Sequence, residues 1–239
     1  MSANATTVES KPTAWNDLAI SAVMAGTAGF VDTCGFVALF GLFTAHVTGN
    51  FVLIGAELVN HTNEVLLKLL ALPAFVLAVV LAVKADEALA RLGRARVAPL
   101  LYAEAALLLL SFAAAVHPPA HAADPSAIAA GLLAAAAMGL QNALMRLQLA
   151  SLPNTTVMTL TVTQGTIDLV TLLGRADSAK RGEARKRFAR LWPQVVSFTF
   201  GAAAGAGGYA LAGLAALLVP ALACIYVGLR WTEPAASSS

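Results

Sequence analysis

Long apolar stretches follow one another along nearly the whole chain, and hydropathy together with punctuation divides them into eight predicted helices. They are Leu18 to Leu39, Phe43 to Val59, Leu66 to Leu89, Val97 to Val116, Ser126 to Leu149, Thr155 to Leu173, Leu191 to Leu211 and Leu214 to Leu229. The second and the last are short. "HPPAHAADPS" reads as a loop, because paired prolines cannot continue a helix and Asp-Pro-Ser is a good helix start. The pattern predicts an all-α integral membrane protein, a polytopic bundle of seven or eight transmembrane helices.

Composition strengthens that reading. Of 239 residues, 59% are hydrophobic and 12% charged, where soluble domains carry about 25% charged residues. No room remains for a separate soluble domain. The net charge of +2 is carried by positive side chains gathered in loops, which argues against a nucleic-acid partner and leaves the lipid bilayer as the surroundings. Cys34 and Cys224 both lie in apolar runs and read as small packed hydrophobes. Residues 1–17 form a polar tail without the features of a cleaved signal peptide, and residues 231–239 form a second tail.

The two halves resemble each other. Gly29-Phe-Val-Asp32 lies against Gly139-Leu-Gln-Asn142, and Thr48-Gly49-Asn50 falls on Thr159-Leu160-Thr161. Glu57 falls on Asp168, each followed by Leu-Val; Pro73 matches Pro193 and Pro99 matches Pro220. This divides the chain into a membrane repeat over 18–116, a loop over 117–125 and a second repeat over 126–230. Four helices per repeat predict two parallel halves related by an axis along the membrane normal, with a site between them. The loop over 174–190 holds Arg175, Lys180, Arg181, Arg185, Lys186, Arg187 and Arg190, which places it in the cytoplasm. Eight crossings then put both termini there too. However, Lys84, Arg91, Arg94 and Arg96 would lie outside, so either one loop breaks the rule or one apolar segment does not fully cross.

Polar residues inside the apolar stretches are the candidate chemistry. An ionised Asp32 within the first helix costs at least about 2.5 kcal/mol on insertion scales, so it calls for a partner or a proton. Three readings stand: a structural carboxylate held by a basic group or by backbone amides at a helix break, a proton or cation site, and a substrate contact. Arg146, one turn beyond Asn142, is the expected partner; otherwise it reaches toward lipid phosphates. His46, Thr48 and Asn50 in the first half correspond to the polar run holding Thr155, Thr156, Thr159, Thr161, Thr163, Gln164 and Thr166 in the second. Either polar groups surround these helices or the helices are broken, as Gly49 and Gly165 would permit. Threonines bonding back to carbonyls one turn earlier would account for them equally. Small residues at helical spacing, Ala25, Gly29 and Thr33, then Gly131, Ala135 and Gly139, then Gly201 and Gly205, predict close packing of the first, fifth and seventh helices.

"GFVDTCGFVALFGLFTAHVTGNFVLIG" together with "MGLQNALMRLQLASLPNTTVMTLTVTQGTIDL" resembles the YoaK-like family of bacterial inner-membrane proteins, over roughly Leu18 to Leu229. Asp32, Thr48, Gly49, Asn50, Gly139, Gln141, Asn142, Arg146, Thr155, Thr156 and Thr159 occupy the matching positions. Leu160 stands where a glycine is more typical. The resemblance implies a small permease-like protein of the bacterial inner membrane, without naming a substrate.

The leading expectation is a secondary permease for a small solute, with Asp32 binding a proton or cation. Its site would be lined by Asp32, Thr48, Asn50, Gln141, Asn142, Arg146 and Thr159, with Glu57, Asp168, Thr155 and Thr156 in support. The runner-up is a noncatalytic membrane scaffold that uses the basic loop. No nucleophile–base pair, His-Glu-x-x-His or phosphate loop is present in the sequence, and Pro118 and Pro119 keep His117 and His121 off one helix face. No enzyme activity, metal or cofactor is expected.

Overall fold

The computed structural model describes residues 14–60, 64–150, 158–175 and 177–231. Among these, the chain forms α1 (Ala14–Ala38), α2 (Gly49–Asn60), α3 (Val65–Arg91), α4 (Val97–Ala114), α5 (Pro125–Leu147), α6 (Met158–Leu173), α7 (Ser178–Ala212), a 3-10 turn (Gly213–Leu217) and α8 (Leu218–Arg230). Each predicted stretch contains a helix, and the protein is a helical membrane bundle. Five helical stretches are long and apolar enough to cross a membrane: Leu18–Ala38, Val65–Arg91, Val97–Ala114, Pro125–Leu147 and Ser178–Arg230, the last containing both α7 and α8. With 12 residues, α2 reaches only about 18 Å at 1.5 Å per residue, short of a hydrocarbon core roughly 30 Å thick.

Two boundaries differ from expectation for local reasons. The helix predicted from Phe43 starts at Gly49, because the side chains of Asp32 and Asn50 take up the backbone groups of residues 43 to 45. The segment expected to be a basic loop before Leu191 is instead largely the start of α7, which begins at Ser178. Asp177 caps it, its carboxylate accepting from the Lys180 N–H at 2.7 Å.

Packing partners set the direction of each helix. Gly26 meets Ser197 of α7, and Gly205 meets the backbone at Phe30, so α1 and α7 run parallel. Gly131 faces Leu67 and Gly139 faces the Phe75 carbonyl, so α3 and α5 run parallel as well. The first helix and the fifth run antiparallel: the Gln141 side-chain N–H donates to the Met24 carbonyl at 2.9 Å, while Leu42, just past the end of α1, meets Gly131. Helices at matching places in the two halves thus point in opposite directions, which corrects the expectation of halves with the same orientation. The physical reason is the shortness of α2 and α6. Each returns the chain to the side from which it came, so that α3 and α7 start where α1 and α5 end.

The same geometry resolves the charge conflict. Gln148, after α5, donates to Asp86 near the end of α3 at 2.6 Å, and Arg96 lies 3.6 Å from the same carboxylate. The basic residues around 84–96 therefore sit at the end of the bundle where α5 finishes and the basic start of α7 begins.

Small residues let α1 and α7 approach closely, as their spacing predicts, while α5 packs chiefly on α3 and α4. A Cβ on Gly201 would overlap the backbone of Gly26. Gly201→Ala should cost about 1–3 kcal/mol, the usual penalty of overpacking, and lower the thermal midpoint in detergent. Gly207, which faces open space, supplies the control: Gly207→Ala should change stability by less than about 1 kcal/mol.

Candidate functional site

The segment between α1 and α2 folds back along α1 and is held by three polar clusters. In the first, Asp32 is 4% exposed and fully engaged. Its Oδ1 accepts from the N–H of Thr44 at 2.7 Å, the N–H of Ala45 at 2.8 Å and the Thr44 hydroxyl at 3.3 Å. Its Oδ2 lies 2.7 Å from Nδ1 of His46. A carboxylate only accepts, so Nδ1 carries the proton and the acceptor nitrogen of the neutral ring is Nε2. The ring is 35% exposed and packs edge-on against Phe198 of α7. Asp32 lies six residues before the end of α1, so the backbone at Thr44 has returned by about 9 Å along the helix.

The second cluster is Asn50, 1% exposed. Its amide donates to the Phe43 carbonyl at 2.8 Å and accepts from the Phe43 N–H at 2.9 Å, a paired contact that fixes the approach to α2. The third is Lys68 of α3, 2% exposed. Its Nζ lies 2.5 Å from Glu57 and 3.4 Å from Glu64, and donates to the Phe40 carbonyl at 2.6 Å. Phe40, two residues past the end of α1, has φ +55°, a left-handed conformation that an L side chain adopts at a cost. Binding of its carbonyl by Lys68 holds that turn.

A related arrangement occurs in the second half. Asp168 of α6 is fully buried, and Arg187 of α7 donates to it from Nη2 at 2.7 Å and from Nε at 3.1 Å. Gln164 donates to the same carboxylate at 3.1 Å. Each short helix therefore carries an acid bound to a base on the helix that follows, five residues before Pro73 in one case and six before Pro193 in the other. The registers also correspond. Extending the Glu57–Lys68 pairing brings the start of α2 level with the part of α3 that meets Gly139. Extending the Gly165–Trp192 contact brings the start of α6 level with the part of α7 that meets Gly29.

The expected site residues do not gather into one cluster. Asp32 and Asn50 share the folded-back segment, and Thr48 is exposed on it. Gln141 is buried and bonded to the carbonyl of Met24, well along α1 from Asp32. Asn142 donates to the Met138 carbonyl of its own helix at 2.8 Å. Arg146 is exposed near the end of α5 and does not pair with Asp32, since α5 runs away from the Asp32 level. Thr159 is exposed on α6, while Thr155 and Thr156 lie outside the described residues. The break allowed at Gly165 is absent, and α6 is continuous there. Thr163, Thr166 and Thr171 donate to carbonyls one turn earlier.

Three buried ionisable residues escaped the sequence reading, Lys68, Asp86 and Glu104. Lys68 and Glu104 are lone charges in apolar runs, the same signal that draws attention to Asp32. Elsewhere, a cavity of about 320 Å³ between α1, α7 and α8 is lined mainly by apolar residues such as Phe30, Phe200 and Val219. It offers little to a polar solute.

Among curated proteins and among solved structures, none matches the chain. A family model does match, over residues 20–229, and agrees with the YoaK-like resemblance carried by the Asp32 and Gly139–Arg146 motifs. The chain belongs to the family described as proteins of unknown function, DUF1275.

Proposed function

We propose that the chain is a secondary permease for a small solute in the bacterial inner membrane, built from two inverted halves. In this reading α1, α3, α4, α5 and α7 make five crossings, α8 makes the sixth together with the 3-10 turn that runs into it, and α2 and α6 are re-entrant. The observation that carries it is the pair of short helices whose starts lie part-way along their long neighbours, each tied back by an acid–base pair. Interrupted helices ending near the bilayer midplane are a recurrent feature of carriers with inverted repeats. Six crossings also bring both basic segments and both termini to the cytoplasmic side, in accord with positive-inside bias.

Asp32 takes a different role from the one expected of it. Held by two amides, a hydroxyl and a histidine, it anchors the folded-back segment, and His46 is the side chain of that cluster that is partly exposed. The group of α1, α6 and α7 and the group of α2, α3 and α5 would move against each other to expose the region between the short helices alternately.

A noncatalytic scaffold is the second reading. It is favoured by the dryness and full pairing of Asp32 and by the exposed Arg185, Lys186 and Arg190 on the first turns of α7.

Two experiments bear on these readings. In a background of Cys34→Ser and Cys224→Ser, cysteines placed as Ala95→Cys and Ala179→Cys should react with an impermeant maleimide from the cytoplasmic side alone, and Ala120→Cys from the other. Labelling of the first two from opposite sides would rule out six crossings. For transport, vesicles containing the purified protein are incubated with a mixture of isotope-labelled small metabolites and assayed by mass spectrometry. A carrier retains at least one solute above protein-free vesicles; retention of none would favour the scaffold.

A further inference from the structure

Glu104 lies near the middle of α4 and is fully buried. Neither carboxyl oxygen has a hydrogen-bond partner of normal geometry. The elements packed against α4 are α5, α8 and the 3-10 turn. The 3-10 turn has no titratable side chain, and the one on α5, Arg146, is exposed at its far end. From α8 the Cys224 thiol faces the carboxyl, while Tyr226 is 61% exposed and Arg230 is exposed. On α4 itself, Tyr102 lies against Gly228. Among the described residues no base reaches Glu104.

An ionised carboxylate enclosed in apolar surroundings without a cation is strongly disfavoured, so the group needs a proton or a bound cation whenever the site is shut. A metal ion needs at least three side-chain ligands, and among the described residues no group of three His, Cys, Asp or Glu side chains gathers here. The proton is the occupant that fits. Position adds a second argument. Helices α4 and α8 are the matching last helices of the two halves, aligned at Pro99 and Pro220, and they cross antiparallel with Tyr102 against Gly228 and Glu104 against Cys224. A motion that parts α4 from α8 therefore alters the surroundings of Glu104.

We propose that Glu104 is an exchangeable proton-binding site at the α4–α8 contact, and that its proton couples solute movement to the proton gradient. The coupling rests on the permease reading, whereas the proton site stands on the local geometry. When the contact opens, water reaches the carboxyl and the proton can leave; closure requires the proton to be in place.

Infrared difference spectroscopy of the purified protein tests the site with water itself as the probe. Wild type should show a protonated-carboxyl band that shifts on transfer into D2O within the time of the measurement. The band should vanish in Glu104→Gln and persist, displaced, in Glu104→Asp, which keeps a carboxyl should the glutamine variant fold poorly. Cys224→Ala should retain the band at a changed frequency. Absence of any band assignable to Glu104 would overturn the proposal, as would a band that never exchanges, since that describes a sealed structural acid. An exchanging band in a protein that moves no solute would sustain the proton site and remove the coupling role, so the two failures are distinguishable.

Discussion

Asp32→Ala should detach the segment between α1 and α2 and cost about 3–9 kcal/mol, because the N–H groups of Thr44 and Ala45 and the Thr44 hydroxyl lose their acceptor in a buried place and each orphaned donor costs about 1–3 kcal/mol. A loss of that size is a large fraction of the stability of an ordinary domain, roughly 5–15 kcal/mol. Asp32→Asn separates charge from shape. Its amide oxygen can accept from both backbone N–H groups, but its NH2 cannot accept from His46 Nδ1. The histidine must then change tautomer, and the loss should be smaller than for alanine. The measurement is thermal unfolding in detergent, together with proteolysis of the 39–48 segment. Undiminished stability and protection in Asp32→Ala would show that the carboxylate does not anchor this segment.

Lys68→Met should be comparably damaging, about 3–5 kcal/mol, the usual cost of stranding one charge of a buried pair. Glu57 is 9% exposed and one of its oxygens already lacks a partner, so without the ammonium it is left as an uncompensated anion. Phe40, at φ +55°, loses the group that binds its carbonyl at the same time. The discriminating variant is the double substitution Lys68→Met with Glu57→Leu. It removes both charges and should recover much of the loss, because a well-packed apolar pair often replaces a buried ion pair at little cost. If the double variant is no better than Lys68→Met alone, the dominant role of Lys68 is to hold the Phe40 turn.

Much of the architecture is legible in the residues. Hydropathy locates the helices and the small-residue spacing locates the close approach of α1 and α7; Glu57 and Asp168, set against each other in the sequence, each bind a base on the helix that follows. Direction is not legible, because a short apolar stretch reads alike whether it crosses or turns back. What decides it for α2 is the capture of the Thr44 and Ala45 amides by a carboxylate twelve and thirteen residues earlier, a contact that periodicity cannot express. The expected pairing of Asp32 with Arg146 fails for the same reason, since it follows from halves pointing the same way. Lys68 and Glu104 went unread because windows averaged over an apolar helix absorb a single charge. Reading each lone ionisable residue separately would have found both.

The first helix is buried by partners that the ribosome has yet to make. Helix α1 packs on α7, α8 and α5, and α3 packs chiefly on α5. At roughly 5–20 residues per second of synthesis, α1 stands in the membrane for on the order of ten to thirty seconds before α7 is complete. Its glycine stripe is uncovered during that interval, whereas Asp32 meets its partners Thr44, Ala45 and His46 within fourteen further residues of synthesis. For the same reason a cut within the 115–124 connection should leave two fragments that are unstable apart and bind one another when made together, interlocked like the subunits of an obligate dimer.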